Sequence, residues 1–241
     1  MNKFALSLAF ALALPLVAPT AASAQQSTIA EVFIVHGIPG QDLGTDPALP
    51  VDVSVNGACL LPGFRYGQIV GAFQLQPGTY NIAIHLANAS NPCGNAAAIG
   101  PAAIPFYAGE NSTVIAHLTG SGAPTASKFV NNITQTPPNR NRVTVHHLAN
   151  APAVDAYVST AFGNPSATAG LATGVVNGET ATLPAPPAAV RFALAPAGTT
   201  TAAYGPVTLR LAANKAYLLY VVGSVARGTL NVIAKDVSEL K

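Results

Sequence analysis

The sequence predicts an all-β protein in which two tandem immunoglobulin-like antiparallel β-sandwich domains follow a signal peptide. Three observations lead to this prediction. Apolar residues come in short runs separated by Gly, Pro and Asn, a pattern typical of strands joined by turns. Segments of the first half recur in the second half. The N-terminus has the composition of an export signal.

The first 24 residues predict a cleaved signal peptide. Lys3 precedes an apolar run from Phe4 to Val17, and the small residues 22–24 precede Gln25. Pro15 interrupts the run, which is shorter than the roughly 20 apolar residues that span a bilayer. We therefore expect cleavage near Ala24-Gln25, a secreted or periplasmic location and no membrane span.

The overall composition excludes several classes of partner. Of 241 residues only 8% are charged, with 11 basic and nine acidic side chains, while 50% are hydrophobic. So small a net charge gives no electrostatic basis for binding nucleic acid. The abundance of β-branched residues argues against disorder. The expected partner is an unknown protein or a surface polymer.

Twelve segments have the composition of strands. Turn residues separate them, such as Asn56-Gly57 and Pro77-Gly78 in the first half. The segments are 31–36, 51–56, 68–75, 79–86, 112–118 and 127–133, followed by 142–148, 154–159, 180–184, 188–195, 215–222 and 229–237. With about seven short strands expected in each half, each reads as a sandwich, and one large barrel is the alternative.

Matches at a constant spacing indicate a duplication and set the domain boundaries. A stiff, polar linker is expected at 134–141, around Pro137-Pro138. The first domain is then 25–133 and the second 142–241. The matched pairs, all 103 residues apart, are Val51-Asp52 with Val154-Asp155, Asn111 with Asn214, and Gly120-Ser121 with Gly223-Ser224.

Longer stretches of both halves resemble a known family. These are "VHGIPG…PVDVSVNG…LLPGFRYG…LQPGTYNIAI" in the first half and "VHHLANAPAVDAYVS…KAYLLYVVG" in the second. They are similar to the secreted bacterial domain of unknown function 4397, with one copy in each half. The resemblance implies an exported β-sandwich module without an established reaction, and it transfers no catalytic residues.

The two cysteines predict one disulfide. Cys59 and Cys93 are the only cysteines of a chain that is expected to leave the reducing cytosol. The alternative is a cysteine nucleophile, which needs a base and a lowered pKa. No sequence motif supports that alternative.

Two histidines and two aspartates form the best candidate site. His36 and His146 each end the first strand of their half, 110 residues apart, and each precedes a Val-Asp pair that contains Asp52 or Asp155. A structural interpretation has these side chains bind backbone groups at the strand ends. A catalytic interpretation adds a nucleophile, but no G-x-S-x-G motif is present.

The sequence therefore favours an exported, non-catalytic envelope or extracellular module. We expect no catalytic residues, no cofactor site and no metal site. Apart from the adjacent His146 and His147, whose side chains would point to opposite faces, the histidines lie on separate predicted strands without metal-ligand spacing. In the strand 79–86, the apolar residues share one face and leave His85 on the other with Asn81 and Ala83. The alternative function is a secreted hydrolase that uses a His-Asp pair at a strand end.

Overall fold

The computed structural model describes residues 28–160 and 168–237, and these residues form two β-sandwiches in tandem, as predicted. Their strands form four sheets of four strands each. The predicted signal peptide, 1–24, lies outside the described residues. Within the described ranges, no helix has the length and apolar character needed to cross a membrane.

The first sandwich contains one sheet of order β4-β1-β7-β8 and one of order β3-β2-β5-β6. A short 3-10 helix, Gly40–Leu43, lies between β1 and β2. The strands are β1 (Ala30–His36), β2 (Val51–Val55), β3 (Ala58–Phe64), β4 (Ile69–Leu75), β5 (Gly78–Leu86), β6 (Ala97–Phe106), β7 (Asn111–Leu118) and β8 (Pro124–Val130).

The second sandwich repeats this arrangement, with sheets of order β12-β9-β15-β16 and β11-β10-β13-β14. Each strand takes the place of the strand eight positions earlier. The strands are β9 (Asn141–His147), β10 (Val154–Ser159), β11 (Thr168–Val175), β12 (Thr180–Ala185), β13 (Ala189–Pro196), β14 (Tyr204–Arg210), β15 (Ala216–Val222) and β16 (Asn231–Asp236).

Each sandwich thus has eight described strands where about seven were expected. Their order in the sheets differs from that of an immunoglobulin domain. The immunoglobulin arrangement places its first, second, fourth and fifth strands in one sheet. Here the first strand pairs antiparallel with the fourth and parallel with the seventh, in both sandwiches. The sandwiches therefore resemble immunoglobulin domains in having two packed sheets but not in the order of their strands.

Both sandwiches enclose a separate apolar core, because successive side chains of a strand point to opposite faces. In the first sandwich, residues of β1, β2, β5 and β7 point inward together. The inward-facing set includes Val32, Ile34, Val53, Ile84, Phe106 and Val114 in the first sandwich, and Val143, Val145, Val158, Phe192, Leu219 and Val221 in the second.

A third apolar cluster joins the two sandwiches face to face. Phe33, Val35 and Ile115, on the outer face of the β4-β1-β7-β8 sheet, pack with Leu218 and Tyr220 of the second sandwich. The molecule is therefore a stack of four sheets, and the sheets that contain β2 and β10 lie on the outside.

Hydrogen bonds fix the register of this interface. Tyr220 donates its hydroxyl hydrogen to Thr113 Oγ1 at 2.7 Å, and the Asn177 amide donates to the Leu118 carbonyl at 3.0 Å. Tyr220 and Thr113 are both buried. An unpaired hydroxyl at such a place would cost about 1–3 kcal/mol, so these bonds favour one arrangement of the two sandwiches.

The structure corrects two of the three spacing matches. Val51-Asp52 and Val154-Asp155 are equivalent, because each pair begins the second strand of its sandwich. Asn111, however, is the counterpart of Ala216, since Asn111 pairs with Glu31 and Ala216 pairs with Arg142 at the same place in the first strand. By the same register, Gly223 is the counterpart of Leu118. The spacing changes along the chain because the connecting loops differ in length.

Candidate functional site

The two aspartates bind backbone groups at equivalent β-bulges. In the first sandwich, Pro62 and Gly63 of β3 lie opposite Asp52, and the Gly63 N–H donates to Asp52 Oδ1 at 2.8 Å. In the second sandwich, the Gly174 N–H donates to Asp155 Oδ1, also at 2.8 Å. A bulge leaves a backbone N–H outside the strand ladder, and each carboxylate satisfies that N–H.

The second carboxylate oxygen of each aspartate holds a neighbouring loop. Asp52 Oδ2 accepts from the N–H groups of Cys93, at 2.9 Å, and Asn88, at 3.1 Å, and Asp155 Oδ2 accepts from the Gly198 N–H at 2.9 Å. Burial alone would raise the pKa of Asp52, but its three backbone donors outweigh burial and hold the pKa below its usual range.

The histidine that corresponds to His36 is His147 and not His146. His36 Nε2 donates to the Leu49 carbonyl at 2.8 Å while its Nδ1 accepts from the Ile38 N–H. His147 makes the same two contacts, with the Pro152 carbonyl and the Ala149 N–H. The predicted pairing was one residue out of register, and on a strand one residue reverses the face.

His146 instead lies in the interface between the sandwiches. Its ring stacks on Tyr220, with 5.1 Å between centroids, and contacts Phe129 of the first sandwich at 4.5 Å. His146 Nδ1 is 2.8 Å from the Thr180 hydroxyl oxygen, and the buried Nε2 has no hydrogen-bond partner. Burial lowers the pKa of His146 to about 4, so the ring is neutral at pH 7.

The predicted disulfide is confirmed. Cys59 of β3 is bonded to Cys93 in the loop between β5 and β6, with 5.7 Å between their Cα atoms. Closing a loop of 34 residues stabilises the folded state by about 4 kcal/mol in the chain-entropy model. The disulfide and Asp52 together hold the loop 87–96 against the outer sheet.

This loop positions a serine–histidine pair on the outer face of the first sandwich. The Asn95 carbonyl lies 2.7 Å from His85 Nδ1, and the Ser54 hydroxyl oxygen lies 2.9 Å from His85 Nε2. Because a carbonyl only accepts, Nδ1 carries the hydrogen in the neutral ring, and Nε2 accepts from Ser54. The Ser54 oxygen keeps its capacity to accept a further hydrogen bond.

The pair lines an open concavity of about 610 Å³. Small residues of β5 and β6 and the Asn56-Gly57 turn are part of its lining. Both turn residues have positive φ angles, of 50° and 81°, as expected for a two-residue hairpin turn. The lining residues are Ser54, Asn56, Gly57, Asn81, Ala83, His85, Ala97 and Pro101.

The second sandwich lacks this pair at the equivalent positions. Register places Tyr157 where the first sandwich has Ser54, and Ala195 where it has His85. Tyr157 donates its hydroxyl hydrogen to the Thr199 carbonyl. The duplicated framework therefore carries different chemistry on its two outer faces. Across 28–160 and 168–237, no three His, Cys, Asp or Glu side chains gather as a metal-binding group.

A family model described as "Domain of unknown function (DUF4397)" matches residues 30–157. The chain belongs to this DUF4397 family. The match spans the whole first sandwich and reaches into β10. All residues of the concavity therefore lie within the DUF4397 match.

No curated protein matches the chain. A solved structure titled "The Bacillus anthracis TIE protein" aligns over 81% of this chain and 34% of that chain, at 10% identity and a TM-score of 0.26. The chain thus spans about a third of that protein's length.

Sequence reasoning placed His85 correctly within this DUF4397 domain but did not connect it with Ser54. The alternation of β5 put His85, Asn81 and Ala83 on one face, and the structure shows all three lining the concavity. The same alternation in β2 puts Ser54 on the face of Asp52. The sequence did not show that β2 pairs with β5, and this pairing places Ser54 beside His85.

Proposed function

We propose that this protein is an exported, non-catalytic module that binds a surface polymer or a protein partner of the cell envelope through the concavity of the first sandwich. The main supporting observation is that concavity, an open site on the outer face that is lined by Ser54 and His85, with the His85 ring held by the Asn95 carbonyl. A binding site gains affinity when its groups are held in place before the ligand arrives.

Three further observations support the proposal. Both ring nitrogens of His36 and of His147 already bind backbone groups, as do the oxygens of Asp52 and Asp155, which supports a structural role for these side chains. A disulfide is typical of proteins in oxidising compartments, which supports export and cleavage near Ala24-Gln25. The strand order of the second sandwich supports a second copy of the family module.

Retention of the mature protein on envelope material tests the proposal. The protein without residues 1–24 is incubated with an envelope fraction of its producing cells, and the sedimented fraction is measured. We expect the double variant Ser54→Ala, Asn81→Ala to lose retention. Ser127→Ala is the matched control, because it removes a hydroxyl bonded to His117 at 2.9 Å on a different sheet. Equal retention of all three proteins would contradict the proposal.

A hydrolase is the second candidate, and the Ser54–His85 hydrogen bond favours it. In this mechanism Ser54 Oγ attacks the carbonyl carbon of an ester and its proton passes to His85 Nε2. The alcohol leaves with that proton, and water then hydrolyses the acyl-serine. A fluorophosphonate probe that labels Ser54 in the folded protein and fails to label Ser54→Ala would favour the hydrolase over the non-catalytic module.

A further inference from the structure

We propose that the concavity of the first sandwich takes a neutral, hydroxyl-rich glycan. This inference rests on the proposed function and names the chemical class of the ligand. Seven of the eight lining residues have no ionisable side chain, and the eighth is His85. A charged ligand would lose hydration there without gaining an ion pair, which is unfavourable.

The hydrogen-bonding groups of the site match hydroxyl groups. The Ser54 oxygen can accept, because its own hydrogen is directed to His85. The Asn56 Oδ1 atom accepts from the Asn81 N–H, which leaves the Asn56 amide hydrogens to donate. The exposed side-chain amide of Asn81 can both donate and accept hydrogen bonds. A sugar presents hydroxyls that donate and accept, so it satisfies this mixed set.

The apolar part of the lining suits the apolar face of a sugar ring. Ala83, Ala97 and Pro101 are small or flat, and they let a ring approach the sheet between the polar side chains. A peptide that adds a strand would need free backbone groups at a sheet edge. The polar side chains Ser54, Asn81 and His85 are on β2 and β5, the two inner strands, whose backbone groups already pair with β3 and β6 and with each other. The edge strand that lines the site, β6, contributes only Ala97 and Pro101.

Selective destruction of the envelope material tests this inference. Envelope samples are treated either with periodate, which cleaves vicinal diols of glycans, or with proteinase K, and retention of the mature protein is measured on each. We expect periodate to abolish retention and the protease to leave it intact. Neutral oligosaccharides released from the same envelope should compete, and Asn81→Ala should weaken retention about five- to tenfold, as expected for one lost hydrogen bond.

The outcomes separate the two proposals. Retention that survives periodate but is lost after protease treatment, and that still depends on Asn81, would overturn the glycan and leave the binding module standing. Competition by anionic but not neutral oligosaccharides would also overturn the inference. Absence of any retention of the unmodified protein would remove the proposed function and the inference with it. Ser127→Ala serves again as the control and should behave as the unmodified protein does.

Discussion

Asp52 and Asp155 stabilise equivalent β-bulges in the two sandwiches. Each carboxylate lies opposite a bulge that ends in a glycine with positive φ, 63° at Gly63 and 67° at Gly174. The side chain replaces the ladder partner that the bulge removes. The sequence predicted this backbone-binding role for Asp52 and Asp155 but gave no sign of the bulges.

We expect Asp52→Asn to destabilise the first sandwich by about 1–3 kcal/mol. The carboxylate accepts hydrogen bonds from three backbone N–H groups, and the amide NH2 that replaces one oxygen cannot accept them. Chemical denaturation measures the change. The control is Asp46→Asn, an exposed aspartate that accepts one backbone hydrogen bond, from Ala48. An equal loss of unfolding free energy in both variants would argue against a special role for Asp52.

His146 and His147 show where residue-scale prediction failed. The alternation Val143, Val145, His147 matches Val32, Ile34, His36, so the correct register was present in the sequence. His146 lies on the opposite face of β9 from His147, which makes the contacts that His36 makes in the first sandwich. The burial of His146 depends on contact with the other sandwich, which the sequence did not predict.

His146 should make the unfolding free energy depend on pH. Its pKa is about 4 in the folded state and near 6.5 in the unfolded state, so the unfolded state binds more protons below pH 6.5. Stability is complete above pH 6.5 and falls towards pH 4, by about 3 kcal/mol from this group. His36, His117 and His147, whose pKa values are lowered first of all by burial, add to the decline.

His146→Phe isolates the contribution of this residue, because it keeps a ring between Phe129 and Tyr220 but does not titrate. We expect a smaller loss of unfolding free energy between pH 7 and pH 4 than in the unmodified protein, measured by denaturant titration at each pH. Parallel pH profiles for the two proteins would show that His146 is charged or exposed in the folded state.

At the scale of elements, sequence reasoning found twelve of the sixteen described strands and missed the same two in each sandwich. The missed strands are β3, β6, β11 and β14, and all are edges of the outer sheets. Their sequences contain Gly, and β3, β6 and β14 also contain Pro, residues that edge strands tolerate because one side of the strand is unpaired. Such strands lack the apolar pattern that identified the others.

Gly100 and Gly205 hold two of these edge strands close to their neighbours. Both have a positive φ, and a Cβ atom would lie 2.7 Å from the Ile82 oxygen or 2.6 Å from the Phe192 oxygen. We expect Gly100→Ala to lower the unfolding free energy by more than about 1 kcal/mol. Gly78→Ala is the control, since the nearest atom to its Cβ would be at 3.8 Å. Equal melting temperatures for both variants would contradict this close approach.

At the scale of the whole molecule, the interface between the sandwiches was not expected from the sequence. Polar residues at 134–141 predicted a linker between independent domains, whereas Phe33, Ile115 and Tyr220 form a shared buried cluster. Each inner sheet has a second apolar face, which points away from its own core. These two faces pack against each other and are thereby shielded from water. From one sequence, such a face cannot be distinguished from the core face of a strand.

Separate halves should fold and then associate. Residues 25–133 contain the eight described strands of the first sandwich, and 142–241 contain those of the second apart from Asn141, the first residue of β9. The apolar face of each half would be exposed alone. We expect β-type circular dichroism and a cooperative melt for each half, and a one-to-one complex by size-exclusion chromatography after mixing. Tyr220→Ala in the second half should weaken the complex. Failure of both halves to fold alone would favour a single folding unit.

The proposed function is tested by determining which outer face of the molecule the ligand contacts. The methyl groups of Ala83 and Ala97 lie in the concavity, and Ala193 occupies the position of Ala83 in the second sandwich. The measurement is a titration of alanine-methyl-labelled full-length mature protein with solubilised envelope polymer, followed by NMR. We expect shifts of the Ala83 and Ala97 resonances and an unchanged Ala193 resonance. Shifts at Ala193 alone, or at none of the three, would contradict a binding site on the first sandwich.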